Sequence, residues 1–199
     1  MNESGAINFP ARHESFERWF GTPLGRALLA DQRQMLDKEL SRFTGARQLQ
    51  VGVSHRLPLA TGTDFVQRII TTPRWYPHIP DQVAVCDAHE LPFSADSMDL
   101  VILHHSADFS RYPHEVIREA ARVLRGEGNL ALIGFNPMSL WGVRRLISRH
   151  NDGPWGGRFL MRGRMEDCLP TLGFTVAARV ARSLRSPPRR SRRRASSRF

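Results

Sequence analysis

The sequence has little cysteine: Cys86 and Cys168 are the only two in 199 residues. Two cysteines cannot build a disulfide framework, and these two lack the paired spacing of a structural zinc site. The histidines form no recognisable ligand set either, among them His55, His78, His89 and His114. The sequence therefore predicts neither a disulfide-stapled fold nor a metal site.

Long apolar runs are absent as well. No stretch of the chain approaches the roughly 20 consecutive apolar residues that cross a bilayer, and the N-terminus lacks a basic region followed by an apolar one. We therefore expect a cytoplasmic protein with no membrane partner. Because 41% of the 199 residues are hydrophobic, the chain can bury one full core.

Lysine is nearly missing, since Lys38 stands beside 28 arginines. Residues 179–199 hold nine arginines and no acidic residue, and they supply most of the net charge of +10. Such a segment cannot bury enough apolar surface to offset its ordering entropy, so we predict a disordered tail. The tail can bind nucleic acid non-specifically through counterion release, but Phe199 is its only aromatic residue, so base recognition has no support.

The middle of the chain shows two strand signals that end in polar residues. Residues 82–86 form a short β-branched run that stops at Asp87. Residues 98–103 read as a nearly continuous buried strand, with His104 and His105 at its carboxyl end. In open parallel sheets ligands bind at that edge, so Asp87 is a candidate ligand contact.

A helix and a third strand follow. Residues 112–124 carry apolar side chains at helical spacing, with Pro113 suited to the first turn and Gly126 to a C-terminal cap. Residues 129–135 read as a strand. The order strand, helix, strand implies parallel pairing through a right-handed crossover, and therefore a layered α/β domain.

Upstream, an amphipathic helix is predicted from six apolar residues, with Phe16, Trp19 and Phe20 just ahead of it; the six are Leu24, Leu28, Met35, Leu36, Leu40 and Phe43. An apolar stripe usually marks a helix that packs on the core. The alternative function for this helix is a lid over a substrate.

Two segments carry a family resemblance. Residues 87–105 (DAHELPFSADSMDLVILHH) and 118–137 (REAARVLRGEGNLALIGFNP) resemble the core of class I S-adenosylmethionine-dependent methyltransferases, in particular the small-molecule branch of methyltransferase type 11. The resemblance implies a Rossmann-like, doubly wound, mostly parallel α/β sheet in residues 45–178. Residues 1–44 would then be a helical segment packed on this domain.

The resemblance also implies roles for individual residues, with S-adenosylmethionine as the cofactor. Asp87 would accept a hydrogen bond from the adenine amino group, and the backbone at Ala88 would contact the adenine ring. His104 would lie near the methionine part of the cofactor. Asp99 would help to anchor its strand.

The chain departs from the family pattern in the first strand. The family has an acidic residue followed by a glycine-rich turn, which lets the backbone approach the cofactor closely. In the segment LQVGVSHR, Gln50 stands where the acid is expected and Gly52 is kept, whereas Ser54 and Arg56 occupy the later glycine positions.

A second departure follows the next predicted strand, residues 65–70. Thr71 and Thr72 stand where the family has an acid that binds the ribose hydroxyls, and a threonine hydroxyl makes only a neutral hydrogen bond. Three prolines in residues 73–80 exclude a helix there. We expect a loop, with Trp75 and Tyr76 packed on the sheet or lining the pocket.

The end of the chain differs from the family too. Relatives continue into a further strand pair, whereas this sequence changes after residue 178 to arginine, serine, proline and alanine. We interpret the tail as a shifted or truncated C-terminus, with the last strands missing from the sheet.

Three functions remain open. The first is a methyltransferase that acts on a small molecule. The second is a degenerate relative that kept the fold and serves as a binding or interaction module. The third is a nucleic-acid protein that depends on its tail, such as an RNA methyltransferase. No residue is assigned as the catalytic base, and neither the methyl acceptor nor the oligomeric state follows from the sequence.

Overall fold

A computed structural model describes residues 8–136, 152–157, 169–170, 172 and 174. The predicted tail, residues 179–199, lies outside the described residues. The chain begins with two helices, α1 (Phe9–Phe20) and α2 (Pro23–Leu40). The side chains of Asn8 and Thr22 cap them by accepting hydrogen bonds from backbone N–H groups three residues on. None of the described helices is long and apolar enough to cross a membrane.

The sheet of the described residues has five parallel strands, in the spatial order β3-β2-β1-β4-β5. Their bounds are β1 (Thr44–Gly52), β2 (Asp64–Thr72), β3 (Val83–Val85), β4 (Met98–His104) and β5 (Leu124–Ile133). Helix α3 (Pro113–Val123) connects β4 to β5. This arrangement confirms the Rossmann-like α/β class.

The two faces of the sheet are covered by different helices. On one face, Leu49 and Val51 of β1 pack in a cluster with Val116 and Ile117 of α3. On the other face, α1 and α2 supply the cluster that contains Phe16, Leu36 and Leu40. Because strand side chains alternate between faces, Gln48 and Gln50 of β1 point toward the α1 and α2 side. Both glutamines are buried.

The predicted amphipathic helix is α2, which ends at Leu40, before Phe43. Phe16, Trp19 and Phe20, just ahead of it, lie in a helix of their own, α1, which the apolar pattern did not predict. The predicted cap at Gly126 is wrong. Helix α3 passes directly into β5 at Leu124, because Leu124 is buried and pairs with Met98. Strand β5 therefore begins five residues earlier than the apolar run indicates.

Asp99 anchors three strands at the amino edge of the sheet, as predicted. Its Oδ2 accepts hydrogen bonds of 2.8 Å from the N–H groups of Ala46 and Arg47 in β1, and its Oδ1 binds the Arg125 guanidinium of β5. Burial alone would raise the pKa of Asp99, but these hydrogen bonds outweigh it and lower the pKa. Asp99 lies at the edge opposite to the candidate site.

Candidate functional site

Helix α1 lies across the carboxyl edge of the sheet. Glu17 accepts a hydrogen bond of 3.0 Å from the Tyr76 hydroxyl, which follows β2. His13 Nε2 contacts the carbonyl of Phe109, which follows β4, at 2.9 Å. Phe16 is fully buried and its ring stacks on that of Phe109 at 4.2 Å. The helix therefore spans the region where parallel sheets bind ligands.

The predicted site residues all lie at or near this edge. Gly52 and His104 end neighbouring strands and are paired in register. Asp87 follows β3 and is exposed, and Ala88 beside it is half-buried. Thr71 is buried in β2, and its side chain is hydrogen-bonded to the Cys86 thiol. In the strand order, β2 and β1 lie between β3, which Asp87 follows, and β4, which His104 ends. Asp87 and His104 are therefore at opposite ends of the set of predicted site residues.

Four buried side-chain atoms at the same edge have no hydrogen-bond partner in the part of the chain that the structure describes. They are His55 Nδ1, Thr72 Oγ1, His104 Nδ1 and Ser106 Oγ. They end or follow strands β1, β2 and β4. Buried polar atoms in native proteins are nearly always hydrogen-bonded, so each one needs an explanation. A polar ligand at this edge would supply the missing partners.

The segment after Asp87 is held by a pair of charged residues on α3. Glu119 accepts the Leu91 N–H at 2.9 Å, and Arg122 donates to the Leu91 and Phe93 carbonyls at 2.9 and 2.8 Å. Arg122 also binds Glu119, which lowers the pKa of that carboxyl group. These bonds fix the apolar segment 91–93 and therefore the position of Asp87 ahead of it.

A second polar cluster, which sequence analysis missed, is buried under α2 at the end of β4. Gln32 contacts both His104 and His105, and His105 contacts Asp108. Burial lowers the pKa of His104 well below its usual value, and the adjacent His105 and Arg33 act in the same direction. One signal was present in the sequence: Gln32 is a polar residue in the apolar stripe of α2, between Leu29 and Leu36.

Gln50 has a structural role in place of the acid that the family carries. Its Nε2 donates to the Leu57 carbonyl at 2.8 Å, and its Oε1 accepts the Leu59 N–H at 2.7 Å. The connection from β1 to β2, residues 53–63, has no helix and follows an irregular path on these bonds. The Gln50 amide is therefore occupied by the chain itself.

An open pocket of about 370 Å³ lies between α1 and the segments that follow β1 and β2. Its lining includes Glu17, Arg56, Arg74 and Tyr76. The guanidinium carbons of Arg56 and Arg74 lie 4.7 and 5.6 Å from the centroid of the Tyr76 ring. The predicted loop at residues 73–80 is confirmed, and Tyr76 lines this pocket. Trp75 is 71% exposed, so the prediction that it packs on the sheet or lines the pocket is wrong.

Residues 38–132 match the family model of a methyltransferase domain. Over these residues the chain is similar to methyltransferase domains, and it has the fold of class I S-adenosylmethionine-dependent methyltransferases. The chain is also 37% identical over 99 residues to the uncharacterized protein YafS of Escherichia coli. That alignment covers 49% of this chain and 41% of YafS, so it spans less than half of the relative.

Solved structures share the fold of the methyltransferase domain. An S-adenosylmethionine-dependent methyltransferase of Thermotoga maritima superposes with a TM-score of 0.60 at 19% identity, covering 84% of this chain and 80% of that one. An Aquifex aeolicus methyltransferase gives 0.56 at 15% identity, covering 85% and 90%. A Haemonchus contortus phosphoethanolamine N-methyltransferase, solved with S-adenosylhomocysteine, gives 0.56 at 18% identity, covering 87% and 45%.

Proposed function

We propose that this chain transfers a methyl group from S-adenosylmethionine to a small-molecule acceptor. The observation that carries the proposal is the set of four buried polar atoms at the carboxyl edge, near Gly52, that have no hydrogen-bond partner among the described residues. A nucleoside cofactor with an amino acid part has hydroxyl, amino and carboxylate groups that such atoms can bind. The pocket of about 370 Å³ next to this edge lies within the size range of small-molecule sites.

In this proposal the bound cofactor supplies a sulfonium methyl group, and the residues of the chain bind the cofactor and orient it. Asp87 accepts a hydrogen bond from the adenine amino group, beside the backbone of Ala88. Thr72 is better suited than Thr71 to contact the ribose, because the Thr71 side chain is already bonded to Cys86. Helix α1 excludes water from the edge. In-line methyl transfer depends chiefly on proximity and orientation.

A degenerate, cofactor-free binding protein is the second candidate, and one observation favours it. Gln50 supplies an amide in place of the carboxylate that the family carries, and this amide is hydrogen-bonded to the backbone of Leu57 and Leu59. Failure of folded protein to bind cofactor supports this candidate. The nucleic-acid role of the tail and the cytoplasmic location stay predictions from the sequence.

Asp87→Ala tests the proposed site. Loss of this carboxylate should weaken binding of S-adenosylhomocysteine by about 1 to 3 kcal/mol, the cost of leaving a hydrogen-bond donor unpaired. Equilibrium dialysis with labelled ligand measures the change. Asp81→Ala is the matched control, because Asp81 is also exposed but lies ahead of β3, at its amino end. Equal affinities of the Asp87→Ala variant and the wild type would remove Asp87 from the site.

Gly52→Ala separates a cofactor contact from a structural glycine. A Cβ at Gly52 would meet protein atoms at 3.7 to 3.9 Å, which is ordinary contact, so thermal stability should be unchanged. A cofactor that approaches this backbone would meet the new methyl group, and we expect at least a roughly tenfold loss of affinity, about 1.4 kcal/mol. Gly126→Ala is the control, since its Cβ would meet nothing within 4 Å. An affinity loss no larger than in the control would contradict the contact.

A further inference from the structure

Four buried polar side chains at the end of β4 form one continuous chain of hydrogen bonds, which we call the Asp108 chain. Asp108 Oδ2 lies 2.8 Å from His105 Nδ1, His105 Nε2 lies 2.9 Å from Gln32 Nε2, and Gln32 Oε1 lies 3.1 Å from His104 Nε2. All four residues are at most 7% exposed. The chain links α2 to the carboxyl end of β4.

The chemistry of the partners fixes the direction of every bond. Asp108 Oδ2 already accepts the Phe135 N–H at 3.0 Å, so His105 donates to it from Nδ1. His105 Nε2 is then an acceptor for the Gln32 amide. Gln32 Oε1 in turn accepts from Nε2–H of His104. Nδ1 of His104 then carries no proton and keeps its lone pair.

The opposite orientation of the Gln32 amide is disfavoured. It would place Oε1 against His105 and require protons on both nitrogens of that imidazole. Burial lowers the pKa of His105, so a fully buried imidazolium is costly there. In the neutral arrangement each of the three hydrogen bonds has one donor and one acceptor, and Nδ1 of His104 keeps a lone pair with no partner among the described residues.

His105 also occupies a strained backbone conformation. Its φ of +54° lies in the left-handed region, where a residue with a Cβ is sterically strained. Two contacts hold it: its N–H donates to the Ile133 carbonyl at 2.9 Å, and it forms a bridge with Gly52. Such strain in natural proteins is concentrated at functional sites. Here it places an imidazole between Asp108 and Gln32.

We propose that the Asp108 chain holds His104 in its Nε2-protonated tautomer, so that Nδ1 accepts a hydrogen bond from an N–H or O–H donor of the bound molecule. This inference rests on the proposed cofactor site. His104 is the contact residue, whereas Gln32, His105 and Asp108 are positioning residues. Nδ1 is an acceptor and not a catalytic base, because a buried imidazole next to a second imidazole resists protonation at neutral pH.

Gln32→Met tests the chain, since methionine keeps the length of the side chain and removes both of its hydrogen bonds. Nitrogen-15 NMR of the imidazoles reads the His104 tautomer directly, and does so without any ligand. We expect the Nε2-protonated form alone in the wild type and a mixture of tautomers in the variant. Gln34→Met is the matched control, because Gln34 is exposed on the same helix. A wild-type His104 protonated on Nδ1 would overturn the proposal.

Binding of two ligands locates the donor. We expect Gln32→Met to weaken S-adenosylhomocysteine roughly tenfold, as for one misplaced hydrogen bond. A loss confined to this ligand, with 5′-methylthioadenosine unaffected, puts the donor in the amino acid part, whereas an equal loss puts it in the nucleoside. Unchanged affinity for both overturns the proposal. If neither ligand binds the folded wild type, the proposed cofactor function is wrong, and so is the contact at Nδ1. The NMR measurement of the His104 tautomer still tests the Asp108 chain, because it needs no ligand.

Discussion

Phe16→Ala should lower the free energy of unfolding by about 3 to 5 kcal/mol, the range for removing a fully buried phenylalanine. The Phe16 ring is 0% exposed and contacts four other aromatic rings besides that of His105. It is the main apolar anchor of α1 on the sheet. The remaining links of α1 to the strand ends include the partly exposed ion pair of Glu17 and Arg56, which contributes little.

Urea unfolding followed by circular dichroism measures this loss. Val66→Ala is the control, because Val66 is 93% exposed on β2 and its truncation should change stability by less than about 0.5 kcal/mol. Since α1 covers the carboxyl edge, Phe16→Ala should also weaken binding of S-adenosylhomocysteine. A Phe16→Ala protein within about 1 kcal/mol of the wild type would show that α1 is not anchored through this ring.

Stability should also fall as the pH drops from 7.5 to 5.5. Burial lowers the pKa of His104 in the folded state, so below its unfolded pKa of 6.5 the unfolded chain binds the extra proton. The stabilisation is fully present above pH 6.5 and declines by about 1.4 kcal/mol per pH unit below it. Burial lowers the pKa of His105, His13 and His55 as well, and they act in the same direction.

Carboxylates do not obscure this pH window. The pKa of Asp99 is lowered by its hydrogen bonds and that of Glu119 by Arg122, so the stability they confer is lost only below their ordinary values of 3.8 and 4.5. His104→Gln should make the decline between pH 7.5 and 5.5 shallower in urea unfolding, because the contribution of His104 is removed and those of the other buried histidines remain. His78→Gln should leave it unchanged, because His78 is exposed. A wild-type protein equally stable at both pH values would show that His104 is not held neutral.

The sequence predicted the order of the sheet elements well because strand β4 is a continuous apolar run and α3 has apolar residues at helical spacing. The ends of helices and strands could not be predicted from the sequence where tertiary contacts determine them. Gly126 has the residue type of a helix cap, but pairing of Leu124 with Met98 draws the segment into β5. The sequence pattern did not show α1 as a separate helix, because an N-cap residue such as Thr22 gives only a weak local signal.

The candidate site could be predicted only in part. Asp87 and His104 were found because they end recognisable strands. Thr72 was named beside Thr71, but only the structure shows which hydroxyl is already bonded, because that depends on the position of Cys86. The Asp108 chain joins Gln32 to His104 and His105 across more than seventy residues, and no local pattern encodes such a contact.

Calorimetric titration of S-adenosylhomocysteine into the full chain tests whether this fold still binds the cofactor. We expect saturable binding with one site per chain and micromolar affinity, despite Ser54 and Arg56 in place of glycines. The same sample must show cooperative thermal unfolding, which establishes that it is folded. Folded protein that takes up no S-adenosylhomocysteine would contradict the account, and would favour a methyltransferase fold that serves as a binding module.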